Sequence, residues 1–529
     1  MARFKNSLVF LSIFIISFLG YFQSRVIYEL FCEKYLPVFD GVMYEKTQIL
    51  RYLSFKGNFS FIERINQAIY EFKGNPVSGG FNAILILFNP TFLINDYDLL
   101  LKSILALTLL FASINFFFNF KKHIYFVGIC VLICQAPIFY HFRIGLSTYV
   151  PDLFSSLILA SSYFFALSYL KYNKIHFLSI ALLLIILSVV SRFNFFVFSF
   201  LVYLPLFPSV YLQIKKLNFK NKKILVHISI FLLSLLFLFF YVLYNFNDFI
   251  NYYTKPASYA SVSFTSSLNS ILIYFKEELG VVFALILITI LLIVNSIYYK
   301  NDFNTITYLN YYLILPFLIL FVFLTLILKA TNQPHVFSIL VVFLFPVSFI
   351  KIPFFLSIKV FVGSLVFIAL TCSFYRYFQF YNTVSSYSLK INSLDIAKKI
   401  DFFTNNEKEK SYFILYDTAQ EIPLDVYFFK KNKIYTTNDL KFYFTDWDYY
   451  DIDKRLDLRK IAMFYKNQIM VQKPKIIVLN EYKLILGKDR RLAENLNNVL
   501  VQYVKNSVNY KKVGEQFVDK KKLVFYKLK

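Results

Sequence analysis

Up to about residue 374 the hydrophobic residues of this chain fall in long, nearly unbroken runs. After residue 381 they fall in short patches separated by polar residues. The runs are Leu8–Phe22, Leu99–Phe118, Ile124–Tyr140, Leu153–Leu170, Phe177–Val190, Phe193–Leu212, Ile224–Tyr244, Gly280–Tyr298, Tyr308–Leu328, Val336–Ile350 and Phe354–Ser373. A helix needs about 20 apolar residues to cross the hydrocarbon of a bilayer, so the pattern predicts about eleven membrane spans. Phe177–Leu212 is interrupted at Ser191-Arg192 and reads either as a tight pair or as one long kinked helix. The expected fold class is mainly α: a polytopic transmembrane helical bundle over residues 1–380, followed by a small α/β domain over 381–529.

The connection over residues 23–98 is too long for a simple turn and too apolar for disorder, with Phe55, Phe59, Phe61, Ile62, Ile65 and Ile69 among its residues. Phe59–Phe72 has helical periodicity and predicts an amphipathic helix at the membrane interface, its polar residues Glu63, Arg64, Asn66, Gln67 and Glu71 facing out. Asn75-Pro76 and Gly79-Gly80 break that helix, and Phe81–Ile94 is expected to skirt or re-enter the bilayer. In the C-terminal part, Ser411–Tyr416 and Lys475–Leu479 read as buried strands. Asp453–Gln468 and Asp489–Lys505 read as helices, and Tyr510–Val518 with Leu523–Leu528 as a terminal hairpin.

Composition agrees with a membrane protein: 58% of residues are hydrophobic and the mean hydropathy is +0.56. The net charge of +25 would suit a nucleic-acid binder, but its placement argues against one. Lysines gather in alternate short connectors (Lys121-Lys122, Lys171 and Lys174, then Lys215 to Lys223), on the same side as Arg3 and Lys5. By the positive-inside rule that side is cytoplasmic, and an odd number of spans then puts the C-terminal domain outside. No small-residue cleavage site follows Leu8–Phe22, so it reads as an uncleaved first span. The four cysteines form no disulfide framework and the five histidines have no metal-ligand spacing, so no cofactor or metal is expected.

Ionisable residues at span ends are the candidate chemistry, since charge is costly to place there without a purpose. Asp40 lies in Phe39-Asp40-Gly41, Asp152 opens the fourth span after Pro151, and Arg192 sits at the turn between the fifth and sixth. Each also has an ordinary role open to it: Asp152 complementing a helix dipole, Arg192 reaching headgroups, Asp40 in a turn. The three fall on one membrane face.

Taken together, Phe39-Asp40-Gly41, Asn75-Pro76 with Gly79-Gly80, Thr148–Asp152, Ser191-Arg192-Phe193 and the terminal hairpin resemble the GT-C superfamily of membrane glycosyltransferases. The nearest groups are the protein O-mannosyltransferases and the lipid A aminoarabinose transferases. One departure is that Asp40 is followed by Gly41 where the family often has a second acidic residue. The resemblance implies an inverting transferase that moves a sugar from a polyprenyl-phosphate donor to a protein, lipid or glycan acceptor outside the cytoplasm, in a bacterial inner membrane. It implies Asp40 as general base, Asp152 orienting the acceptor or sharing its proton, and Arg192 meeting the phosphate, with Arg143 and Lys255 as alternatives. A guanidinium suits that task because it meets phosphate oxygens bidentately. The competing readings are a flippase, transporter or polymerase of lipid-linked glycans and a non-catalytic scaffold. The few ionisable residues inside the spans weigh against transport.

Overall fold

A computed structural model of the chain describes residues 2–32, 40–55, 60–74, 79–93, 97–119, 123–140, 145–147, 151–215, 222–246, 264–279, 306–327, 334–345, 371, 393–404, 412–415, 427–428, 463, 466–467, 469–480, 499–518 and 521–529. The chain divides into two compact units, Met1–Tyr28 with Gln48–Arg376 and Glu29–Thr47 with Tyr377–Lys529.

The first unit is helical. Among the described residues, four helices are long and apolar enough to cross a membrane: Leu8–Leu30, Tyr97–Phe118, Pro151–Tyr172 and Ile224–Tyr244. The first is part of α1 (Ala2–Cys32), which continues past Phe22 because Tyr21, Ser24 and Ile27 keep a buried stripe at helical spacing. The others are α5 (Tyr97–Phe118), α7 (Pro151–Tyr172) and α11 (Lys222–Tyr244). A fifth candidate is the pair α9 (Phe195–Tyr203) and α10 (Phe207–Lys215), bent by 68°. Pro205 lies in that break; it lacks the N–H the helix needs and turns Leu204 away from continuing it. The remaining apolar helices are shorter. α6 (His123–Cys134) gives way to a 3₁₀ turn at Pro137–Tyr140, and α8 (Ile175–Ser191) ends at Arg192. α12 (Phe264–Leu279) follows α11; α13 (Ile306–Val322) relaxes into a π turn, and α14 (Pro334–Leu344) stops before Pro346. The expected spans Gly280–Tyr298 and Phe354–Ser373 lie outside the described residues.

α7 is the centre of this unit and is buried along nearly its whole length. In hydrocarbon an apolar surface gains little by leaving lipid, so helices associate through small residues and interhelical hydrogen bonds. α7 supplies both. Ser156 Oγ lies 3.0 Å from Ser338 Oγ of α14, Ser188 of α8 donates to the Ser155 carbonyl, and Tyr203 of α9 donates to Ser162. Tyr163 donates to the Tyr312 carbonyl of α13 at 2.6 Å. On α1, Gly20 allows close approach to α6: a Cβ there would lie 3.2 Å from Cys134 Sγ. Cys130 and Cys134 are both free thiols.

These contacts fix which helix ends lie together. At one end, Lys171 and Tyr172 donate to the Phe117 and Phe116 carbonyls that close α5, and Gln213 donates to Leu170 O. Phe10 of α1 packs against Phe116 with tilted rings, and Ser179 near the start of α8 meets His227 near the start of α11. At the other end, Ser24 reaches Phe139 O and Ser147, Ser103 reaches Leu146 O, and Phe193 packs on Tyr241. Lys171, Lys174 and Lys215 therefore share one end of the bundle, while Asp98, Asp152 and Arg192 share the other.

The long connection after α1 is folded into α2 (Asp40–Ser54), α3 (Phe61–Gly74) and α4 (Gly79–Phe88). Ser60 accepts the Glu63 N–H to cap α3. Arg64 donates to the Leu87 and Phe88 carbonyls, the last of α4, before Pro90 ends that segment. Phe55, Ala68, Ala83, Ile86 and Leu93 form a small core beneath. α3 departs from the sequence expectation at Glu71, while Asn66 is exposed as expected. Glu71 is buried, while Phe61 (62% exposed), Ile62 (71%) and Tyr70 (68%) point outward. Glu71 and Arg64 find partners inside the protein, and the apolar stripe is left for surroundings that suit it, as beside lipid.

The second unit carries a four-stranded sheet, order β1-β2-β4-β3, from β1 (Tyr412–Leu415), β2 (Ile476–Asn480), β3 (Tyr510–Val518) and β4 (Lys521–Leu528). β1 and β2 are parallel; β2, β4 and β3 are antiparallel. Ile476, Val478, Leu523 and Phe525 pack on one face beneath α15 (Ser393–Phe403), and Ile477, Leu479, Val524 and Tyr526 on the other with Ile469, Leu500 and Val504. Continuous apolar strands follow from burial on both faces. A bulge between Lys512 and Gly514 lets the Phe403 ring lie on Gly514.

Candidate functional site

α7 and α8 run antiparallel, joined at Asn173-Lys174, so the first turn of α7 meets the last turn of α8. Asp152 in that first turn and Arg192 just past Ser191 form an ion pair, Nε to Oδ1 at 3.2 Å, with both side chains buried. Arg192 leaves the helix in extended conformation (φ −152°, ψ 106°) while its N–H still bonds Ser188 O. The backbone is thereby anchored where the guanidinium turns toward α7. Removing one partner of such a pair leaves an uncompensated buried charge, at a cost of about 3–5 kcal/mol. The pair is set at the end of the bundle opposite Lys171, Lys174 and Lys215.

Of the other residues marked by the sequence, Asp40 is the first residue of α2, and its side chain lies outside the described residues. Arg143 and Lys255 also lie outside them. Asp152 and Arg192 are thus the pair the structure brings together.

A second buried polar group was not marked by the sequence. Arg51 of α2 pairs with Glu71 of α3 at 2.5 Å, both almost fully buried. Burial pushes the Glu71 carboxyl above the usual carboxylate range and lowers the Arg51 guanidinium, and their mutual attraction opposes both shifts. Beside them Gln48 reaches Asn82 of α4 through a long 3.5 Å contact. Among the described residues, Arg51 Nη1, Gln48 Oε1 and Asn82 Nδ2 meet no hydrogen-bond partner. Whichever way the two amides are turned, one donor and one acceptor remain beside the guanidinium donor, a set that one hydroxyl or water satisfies. Lys102 of α5 pairs with Asp98 at 3.3 Å. The signal in the sequence was Glu71 on the polar stripe of α3, whose partner Arg51 lies inside the protein.

Among the described residues no three His, Cys, Asp or Glu side chains converge as metal ligands. No protein-family model matches the chain, and no curated protein matches it. The class defined by the fold is an integral membrane protein, mainly helical, with a small C-terminal sheet.

Proposed function

We propose that the chain is a membrane glycosyltransferase of GT-C type that transfers a sugar from a polyprenyl phosphate to an acceptor hydroxyl. The observation that carries the reading is the buried Asp152–Arg192 pair at the bundle end opposite Lys171, Lys174 and Lys215. With the lysines cytoplasmic, that end faces outward, where a lipid-borne phosphate would lie at the interface. The N-terminus is then cytoplasmic, the C-terminal unit extracytoplasmic, and the cell compartment a bacterial inner membrane.

In this reading Asp40 removes the proton of the acceptor hydroxyl as its oxygen attacks the anomeric carbon. The bond from that carbon to the phosphate oxygen breaks, and polyprenyl phosphate leaves with the electron pair, giving inversion. Phosphate is a good leaving group that needs a cation rather than a general acid, so one base suffices. Arg192, held by Asp152, supplies the positive charge, and Asp152 fixes its direction. Gln48, Arg51 and Asn82 in the α2–α4 region carry the unspent hydrogen-bonding groups that hydroxyl-bearing ligands use.

The test compares envelope glycans, glycolipids and glycoproteins by mass spectrometry from cells with the wild type, a deletion, or stably inserted Asp40→Asn. One sugar mass lost from both the deletion and Asp40→Asn is the expected result and identifies the acceptor. A profile changed by the deletion but untouched by Asp40→Asn contradicts Asp40 as the base.

A further inference from the structure

One end of the C-terminal sheet gathers lysines from four separate segments. Tyr510 OH donates to Pro474 O at 3.1 Å, Leu528 N–H to Lys475 O at 2.9 Å, and Lys529 N–H to Asn509 O at 2.9 Å. These bonds bring the residues before β2, the turn before β3 and the end of β4 together. Lys473, Lys475, Lys505, Lys511, Lys527 and Lys529 lie on or beside them, all at least partly exposed. Residues 469–475, 499–513 and 523–529 contain no acidic residue. Glu515, the acid of the described hairpin, is held near the opposite end by Lys512 and Lys522.

Two features separate this patch from an ordinary solvated surface. Lys511 and Lys527 sit directly opposite each other in the β3–β4 ladder, where like charges repel. Two aliphatic residues project among the lysines, Val508 (82% exposed) and Val471 (81%). A cationic ring around protruding aliphatic side chains matches the interface of an anionic bilayer: headgroups neutralise the lysines and acyl chains accept the valines. The unit is also part of a chain anchored in that bilayer, which supplies lipid at high effective concentration.

We infer that this end of the sheet is a docking surface for anionic phospholipid, which holds the C-terminal unit against the membrane. The inference does not depend on the transferase reading.

The test uses the full chain in nanodiscs, with Cys32 and Cys372 replaced by serine; Cys130 and Cys134 are buried. Val508→Cys carries a polarity-sensitive fluorophore, and spin-labelled lipids serve as quencher. Phe517→Cys, at the opposite end of β3, is the control. In discs containing phosphatidylglycerol the Val508→Cys label blue-shifts and is quenched. In phosphatidylcholine discs it is not, and the Phe517→Cys label is quenched in neither. Lys473→Glu with Lys511→Glu and Lys527→Glu weakens docking on the order of a hundredfold or more. Equal behaviour in the two lipids, equal quenching at both label sites, or indifference to the lysine changes overturns the inference. A response to soluble polyphosphate without any response to anionic lipid also overturns it, and reassigns the patch to a soluble polyanion.

Discussion

The helical unit and the C-terminal sheet bury their chains under different rules. The sheet is a water-type core: Ile476, Ile477, Val478 and Leu479 are sealed on both faces, and charged residues occupy its ends. In the bundle the central helix α7 is rich in serine, and the outward positions of α11 include Leu232, Leu233 and Phe239. In water the apolar side chains carry the driving force, whereas in lipid they are neutral and small polar groups make the contacts. A buried charge pair such as Asp152–Arg192 is thus more conspicuous in the bundle, where the surroundings offer no other solvation.

Breaking that pair gives the largest expected effect. Arg192→Ala should lower stability by about 3–5 kcal/mol, read as loss of folded protein in a detergent melting assay. An unchanged melting temperature for Arg192→Ala would mean the pair is not buried as described. Gly514→Ala comes next. Its Cβ would lie 2.5 Å from the Phe403 ring, so the second unit should lose about 1–3 kcal/mol. Phe403→Leu should restore much of this, and failure of the double variant to recover would place the strain elsewhere. Ser156→Ala, which removes the hydroxyl contact to Ser338, should cost about 0.6–1.7 kcal/mol and affect the first unit alone. The smallest effect concerns acid. Hydrogen bonds from Lys512 and Lys522 bring the Glu515 carboxyl down to about 2. Its unfolded value is about 4.3. The group stabilises the fold above that value and loses its contribution as pH falls toward 2. Thermal melts of wild type against Glu515→Gln should therefore differ at pH 6 and converge near pH 2.

Much of the bundle was legible because hydrophobic runs report membrane spans directly, as for α5, α7 and α11. Breaks within runs were harder to read. Gln135-Ala136-Pro137 ends α6 early, and Pro205 bends the sixth run. The end of α1 was placed too early because Tyr21, Ser24 and Ile27 continue its buried face through a more polar stretch. In the C-terminal unit, strand alternation and the turn before β4 marked the hairpin well. Asp152 and Arg192 were visible singly as charges at span ends, but their pairing depends on the α7–α8 hairpin closing. For α3, periodicity gave the two faces without saying which one meets the protein. Glu71 therefore read as a solvated charge when it is the buried partner of Arg51. The lysine patch was illegible for a related reason: its members come from segments joined by tertiary hydrogen bonds alone.

The most direct measurement of the central claim is sugar transfer by the purified chain in proteoliposomes. Polyprenyl-phosphate sugars would be supplied with an envelope extract as acceptor, and release of polyprenyl phosphate followed. The account predicts turnover by wild type and a loss of about a hundredfold or more for Arg192→Lys, which keeps the charge but not its geometry. Equal turnover by wild type and a properly inserted Arg192→Lys would contradict the placement of the chemistry at this pair. Absence of release with every donor sugar by folded wild-type protein would contradict the transferase itself.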